Sequence, residues 1–290
     1  MAQSVSLRGA ASRLRMSPKN KSSYGIYAIL LLNAALIIFP LIWLVSASLK
    51  TQAELTANVW GFPRAFEWLN YRDAWIGGRI GSYFFNSVLA TAVAIFLGDV
   101  CSVTIAYALS RFSFRFNRAV FYIVIAGMML PIHSAVIPLY ITAMNLKMMN
   151  NLVFLGVIYG AFRIPVSVFI MESFMITIPR ELEECAIMDG ADYFMIFFKV
   201  ILPLSKDGVV TISILTALAS WNELLISMLM LSRPMLKTLP IGLMGFISEW
   251  STEYTVLCAG LVIACIPNLI FFAIMQEKII KGMTVGAIKG

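Results

Sequence analysis

Charge is scarce in this chain. Of its 290 residues, 13% are Asp, Glu, Lys or Arg and 60% are hydrophobic, against about 25% and about 45–50% in ordinary soluble domains. No long polar stretch remains from which to build a large soluble catalytic domain. The single histidine, His133, excludes an H-E-x-x-H site and any multi-histidine metal centre. No glycine precedes a lysine, so there is no Walker A phosphate loop, and neither G-x-G-x-x-G nor G-x-S-x-G occurs. Four cysteines are present, Cys101, Cys185, Cys258 and Cys265. Their spacing suggests neither a disulfide framework nor a zinc site. The halves carry no evident repeat of the kind found in secondary transporters, so energy for any pumping must come from outside the chain.

What the chain has instead is apolar length. Six runs stand out, at roughly 25–47, 83–107, 119–141, 152–174, 208–230 and 255–276. Each has at least the ~20 residues needed to cross a bilayer. The first exceeds the 7–15 residues of a signal-peptide core and reads as an uncleaved helix. The expectation is an all-α, polytopic membrane protein of six transmembrane helices over 25–276, with a basic N-tail at 1–24 and a C-tail at 277–290. Segment 231–254, with Pro234, Pro240, Gly242 and Gly245, reads as an ordered loop or short re-entrant element. Of the 22 Lys and Arg, fourteen fall in the N-tail, the 108–118 and 175–207 loops and the C-tail, seven in the opposite set, and Arg163 in a span. The richer side faces the cytoplasm, which puts both termini inside. The N-tail basics Arg8, Arg13, Arg15, Lys19 and Lys21 then meet membrane lipid; no nucleic-acid partner is expected.

The cytoplasmic segment 178–207 is acidic at one end and aromatic at the other. It predicts two short helices. Pro179 suits a first helical turn, and Glu181, Glu183 and Glu184 favour its positive end. Asp189-Gly190 is a turn, where glycine permits positive φ. A second helix over about 191–201, with Tyr193, Phe194, Phe197 and Phe198, is ended by Leu202-Pro203. An interfacial helix is one reading, but an anionic leaflet would repel the acids. A docking element suits both halves better, its acids meeting basic residues of a partner and its aromatics packing on this chain's own helices.

This segment resembles the EAA loop of permease subunits in binding-protein-dependent ABC importers. Glu184-Cys185-Ala186, three residues, Gly190, nine residues and Val200-Ile201-Leu202-Pro203 follow the pattern, with Cys for the middle Ala and Val for Ile. Asn86-Ser87, Tyr107-Ala108-Leu109-Ser110-Arg111, Trp221-Asn222-Glu223 and the tail Gly282-Met283-Thr284-Val285-Gly286-Ala287-Ile288-Lys289-Gly290 are similar to the shorter six-span permease of maltose-type carbohydrate systems. The resemblance implies half of a translocation pathway in a bacterial or archaeal plasma (inner) membrane. Its implied partners are a second permease subunit, two ATPase subunits, an extracytoplasmic solute-binding protein and a sugar-like solute. No cofactor is implied on this chain; ATP and Mg belong to the partner ATPase. Glu183, Glu184, Cys185, Ala186, Asp189, Gly190, Leu202 and Pro203 would carry the ATPase coupling, and Gly286 and Lys289 would reach the ATPases. A self-contained secondary transporter or channel is the alternative.

Polar residues inside spans are costly and therefore candidates for the substrate pathway. At 1.5 Å per residue, Glu223 lies roughly 20 Å above the cytoplasmic end of the fifth run, preceded by Trp221 and Asn222. A ring, an amide and a carboxylate suit sugar hydroxyls, although consecutive helical residues stand about 100° apart. Inter-helix hydrogen bonding is the alternative. Arg163 either pairs with Asp99 or Glu223 or meets an anionic solute. His133, next to a kink at Pro131, is a packing or pathway residue. Gly156 and Gly160 form a G-x-x-x-G suited to close helix packing.

Overall fold

The structure, a computed structural model, describes residues 21–249 and 253–287. It is built from helices, with no strand among the described residues. In chain order these are α1 (Lys21–Ser48), α2 (Gln52–Ala57), α3 (Leu69–Trp75), α4 (Ile80–Arg111), α5 (Asn117–Ala126), α6 (Val136–Asn145), α7 (Leu152–Ile176), α8 (Glu181–Met188) and α9 (Tyr193–Ile196). There follow α10 (Leu202–Leu204), α11 (Lys206–Trp221), α12 (Leu225–Met230), α13 (Leu239–Glu249) and α14 (Tyr254–Ala287). Four are long and apolar enough to cross a bilayer: Gly25–Ser48, Ile80–Arg111, Leu152–Ile176 and Tyr254–Ile274. Two bent pairs, if each is one span, raise the number to six.

The centre of the molecule is the α4–α7 pair. On α7, Gly156 and Gly160 meet the backbone of α4: a β-carbon at Gly156 would lie 2.6 Å from the Ala90 carbonyl oxygen, and one at Gly160 2.7 Å from that of Ala94. Ala90, Ala94 and Gly98 supply the small residues facing them. Apolar helices gain little from association in lipid, so this close packing holds them together. The G-x-x-x-G of the sequence is thus the helix crossing. α11 packs on both members of the pair, and α14 on α1, α3 and α11. α1 leaves a continuous apolar surface uncovered, including Ile29, Leu31 and Leu36, a surface that water would not tolerate and lipid would.

Two of the six apolar runs are not continuous helices. The 119–141 run breaks at Leu130-Pro131, where Asn117–Met129 and Ile132–Asn145 meet at 89°. Leu130 is extended, as the residue before proline prefers. The 208–230 run breaks after Trp221. α11 has 16 residues, about 24 Å, short of the ~30 Å hydrocarbon core. α12 resumes it at Leu225. The freed backbone groups are taken up locally, as a membrane interior requires: Asn222 Nδ2 donates to the Leu218 carbonyl at 2.7 Å, and the Ile226 N–H donates to Glu223 Oε1 at 3.0 Å. The sixth run is longer than expected. α14 continues to Ala287.

The segment 49–71 is held by a polar cluster. Lys50, 1% exposed, donates through Nζ to the carbonyls of Asn58 (2.9 Å) and Val59 (3.4 Å). Asn70 Nδ2 donates to the carbonyls of Ser48 and Lys50, both at 2.8 Å. These bonds tie the end of α1 to α3, next to the start of α14.

Candidate functional site: the α8–α9 docking element and a cleft in the membrane domain

The expected two-helix element is present, and its turn has a specific geometry. α8 ends with Asp189 as cap and Gly190 at φ 83°. The Gly190 N–H donates to the Ile187 carbonyl at 3.0 Å, and the Ala191 N–H to that of Ala186 at 2.9 Å. This is the paired closure of a Schellman motif, which needs a left-handed residue directly after the cap. A β-carbon at Gly190 would meet nothing within 4 Å, so backbone conformation and not crowding demands glycine here. Ala186 and Ala191 pack on the same core cluster of Val103, Ala106, Met171 and Ile196, the apolar contact that accompanies such a cap. The Ala-x-x-x-Gly spacing of the sequence is therefore one structural unit. Asp192 then caps α9, accepting from the Met195 N–H at 2.7 Å.

Leu202-Pro203 does not end the second helix. The chain passes through it, with wider π turns over Phe197–Ile201 and the Leu202 N–H donating to the Phe197 carbonyl. The Pro203 ring would clash with the carbonyl four residues back, and the widened turn relieves that. The bend comes at Ser205, 73° between Tyr193–Leu204 and Lys206–Trp221.

The acids of α8 divide into two roles. Glu183 Oε1 lies 2.8 Å from Arg111 Nε, the one ion pair among the described residues, and both side chains are largely buried. Arg111 also donates to the carbonyls of Met175 (2.7 Å) and Ile178 (3.1 Å). Glu183 is thus engaged inside the chain and anchors α8 to the ends of α4 and α7. Glu184, Cys185 and Asp189 are exposed. The aromatics divide likewise. Phe197 packs 4.8 Å from Tyr107; Tyr193, though 5.3 Å from Phe112, stays exposed, as do Phe194, Phe198 and Met188. Packing of all four on this chain's own helices is not what the structure has. The free surface is mixed, part acidic and part apolar. Gly286 stands on the last turn of α14; Lys289 lies outside the described residues.

The five pathway residues separate in space. Trp221, 4% exposed, belongs to the core: its ring is edge-on to Phe84 at 5.2 Å, and Nε1 donates to the Ala264 carbonyl at 3.3 Å. Asn222 exchanges hydrogen bonds with Asn268 of α14, which is inter-helix bonding. His133 is exposed in the short segment after Pro131. Arg163 and Glu223 come together, lining an open cleft with Tyr159, Phe162, Ser220 and Ile132. Arg163 has no carboxylate within ion-pair distance among the described residues. Asp99 is engaged elsewhere, accepting from the Ser213 hydroxyl. Ser220 and Tyr159 were not singled out in the sequence. Only the break after Trp221 turns Glu223 toward them, and no local pattern signals it.

Comparison with known proteins shows the family. Residues 98–284 match the family described as binding-protein-dependent transport system inner membrane component. The chain belongs to this family. It is 35% identical over 91% of its length to a probable ABC transporter permease protein, YurM, of Bacillus subtilis, covering 88% of that protein. It is 34% identical over 91% of its length to the sulfoquinovosyl glycerol transport system permease protein SmoH of Agrobacterium fabrum, covering 92% of it. To the arabinooligosaccharides transport system permease protein AraQ of Bacillus subtilis it is 32% identical, over 96% of this chain and 100% of that one. Its fold superposes with TM-score 0.77 on a chain of a bacterial ABC transporter that imports the acidic polysaccharide alginate, at 24% identity, covering 90% of this permease and 98% of that chain. The permease is a multi-pass membrane protein of a binding-protein-dependent transport system.

Proposed function

We propose that this permease forms half of the translocation pathway of an ATP-driven importer for a sugar or sugar-like solute, in a bacterial or archaeal plasma membrane. Relatives whose names specify sulfoquinovosyl glycerol and arabinooligosaccharides support the solute class. The family description supports delivery by an extracytoplasmic binding protein. A second permease completes the pathway, and two ATPase subunits holding ATP and Mg drive it; this chain has no phosphate loop of its own. Counting Asn117–Met129 with Ile132–Asn145 as one span and α11 with α12 as another gives six, and the Lys/Arg distribution supports both termini inside.

The observation that carries the coupling role is the division of acids on α8. Glu183 is spent on Arg111, which leaves Glu184 exposed on a helix fixed by its own ion pair and by the Gly190 closure. Glu184 forms a charge-assisted bond with a basic group of the ATPase. Cys185 and Asp189 flank it, Leu202 and Pro203 set the joint to α11, and Gly286 and Lys289 extend toward the ATPases. Glu184→Ala is expected to lower uptake by the assembled complex at least tenfold, in line with the ~2–5 kcal/mol lost when one partner of a buried charge pair is removed, while membrane insertion persists. Wild-type uptake and ATPase stimulation in that variant would overturn the assignment.

A further inference from the structure

The cleft between α7 and the end of α11 holds charges of both signs that do not close on each other. Glu223 Oε1 accepts from the Ile226 N–H at 3.0 Å, and its second oxygen has no bond among the described residues. The Arg163 guanidinium has no hydrogen bond or ion pair there either. The Ser220 hydroxyl, on a residue 6% exposed, is buried with no hydrogen-bond partner. The Tyr159 hydroxyl reaches the Glu223 carbonyl only at 3.5 Å. Phe162 adds an aromatic wall. Unmet donors and acceptors within a membrane domain are costly unless something fills them.

A hydroxyl both donates and accepts, so neighbouring hydroxyls of one solute can take hydrogen bonds from Arg163 and give them to Glu223. A charged solute cannot do so without cost. An anion drawn to Arg163 meets Glu223, and a cation drawn to Glu223 meets Arg163, where neither charge is well screened. We propose that this cleft is a solute subsite for an uncharged, polyhydroxylated ligand, a neutral saccharide. Arg163 donates to its hydroxyls, Glu223 and Ser220 accept, and Phe162 faces its C–H surface. The inference rests on the sugar-import reading and narrows it. It sets this permease apart from proteins whose names specify sulfoquinovosyl glycerol or alginate, both of which carry anionic groups. The walls that this chain supplies enclose only about 10 Å³, room for about one water, so a second permease would supply the facing wall.

The test uses the full complex with the native cysteines replaced by alanine and Ser220→Cys introduced. The rate of N-ethylmaleimide labelling at position 220 is measured without solute and with millimolar maltose, cellobiose, raffinose or trigalacturonate. At least one neutral saccharide is expected to slow labelling fivefold or more, and trigalacturonate less than twofold. Adding Arg163→Gln or Glu223→Gln should remove the protection. Ala219→Cys lines the same cleft and serves if the first variant does not assemble. Protection by no saccharide in either variant overturns the subsite, and equal protection by trigalacturonate overturns its neutrality. Failure of the importer reading is distinguishable, because the complex would then show no ATPase stimulation by the solute-loaded binding protein, whatever the labelling.

Discussion

Gly190 and the Arg111–Glu183 pair decide whether α8 points anywhere useful. At φ 83° any side chain with a β-carbon is strained by roughly 1–2 kcal/mol, and a β-branched one more. Gly190→Val is therefore expected to lose uptake while the protein still inserts in the membrane. Gly190→Asn, which tolerates the left-handed region better, should retain a measurable fraction of uptake. Equal loss in both would mean that something other than backbone conformation fixes this position. The ion pair makes a second prediction. Removing one member of a buried pair strands the other, at about 3–5 kcal/mol. Glu183→Leu alone should lower the melting temperature of the purified permease. Arg111→Met with Glu183→Leu should recover part of that loss, because two apolar groups leave no charge behind, while the Met175 and Ile178 carbonyls lose their bonds from Arg111. A double variant less stable than the single one would contradict this account. The spacing of Glu184, Ala186 and Gly190 was legible in the sequence as a motif. That Glu183 turns inward was not, since its partner lies 72 positions earlier on α4.

Among the elements, the α4–α7 crossing and the broken α11–α12 run make opposite demands on a sequence. The crossing is written in small residues at helical spacing, and G-x-x-x-G was readable as a packing face. With a β-carbon at Gly160 already within 2.7 Å of the Ala94 carbonyl oxygen, Gly160→Leu should separate the helices. The expected outcome is a lower yield of folded permease by fluorescence-detected size exclusion and faster proteolysis. Val157→Leu, on an exposed part of the same helix, should leave both unchanged. The break at 222–224 was not readable. It contains no proline or glycine, and hydropathy stays high on both sides. Side-chain amide and carboxylate groups replace the missing backbone bonds, and such substitution leaves no periodic trace. The 119–141 run carried its own sign in Pro131, which the structure turns into an 89° bend.

For the whole molecule, orientation is the open quantity that charge predicts and packing does not. A cysteine placed at Asp192, in a background without the native cysteines, should be labelled by an impermeant maleimide only from the cytoplasmic side of inside-out vesicles. Labelling from the outside of intact cells would reverse the proposed topology. Composition and run length alone established a helical membrane protein, because 60% apolar residues cannot be hidden in a soluble core of this size. Motif spacing alone located the two-helix element, because a cap, a turn and a helix start are local events within about ten residues. Which charges are spent inside the chain and which are left for partners was decided only by the tertiary structure. Arg111 reaches Glu183, Asn222 reaches Asn268, and Arg163 shares a cleft with Glu223, pairs 46 to 72 positions apart in sequence. Their partnership depends on how helices cross and where one of them breaks, and hydrogen bonding or packing at those points is a property of two segments that no single stretch of sequence contains.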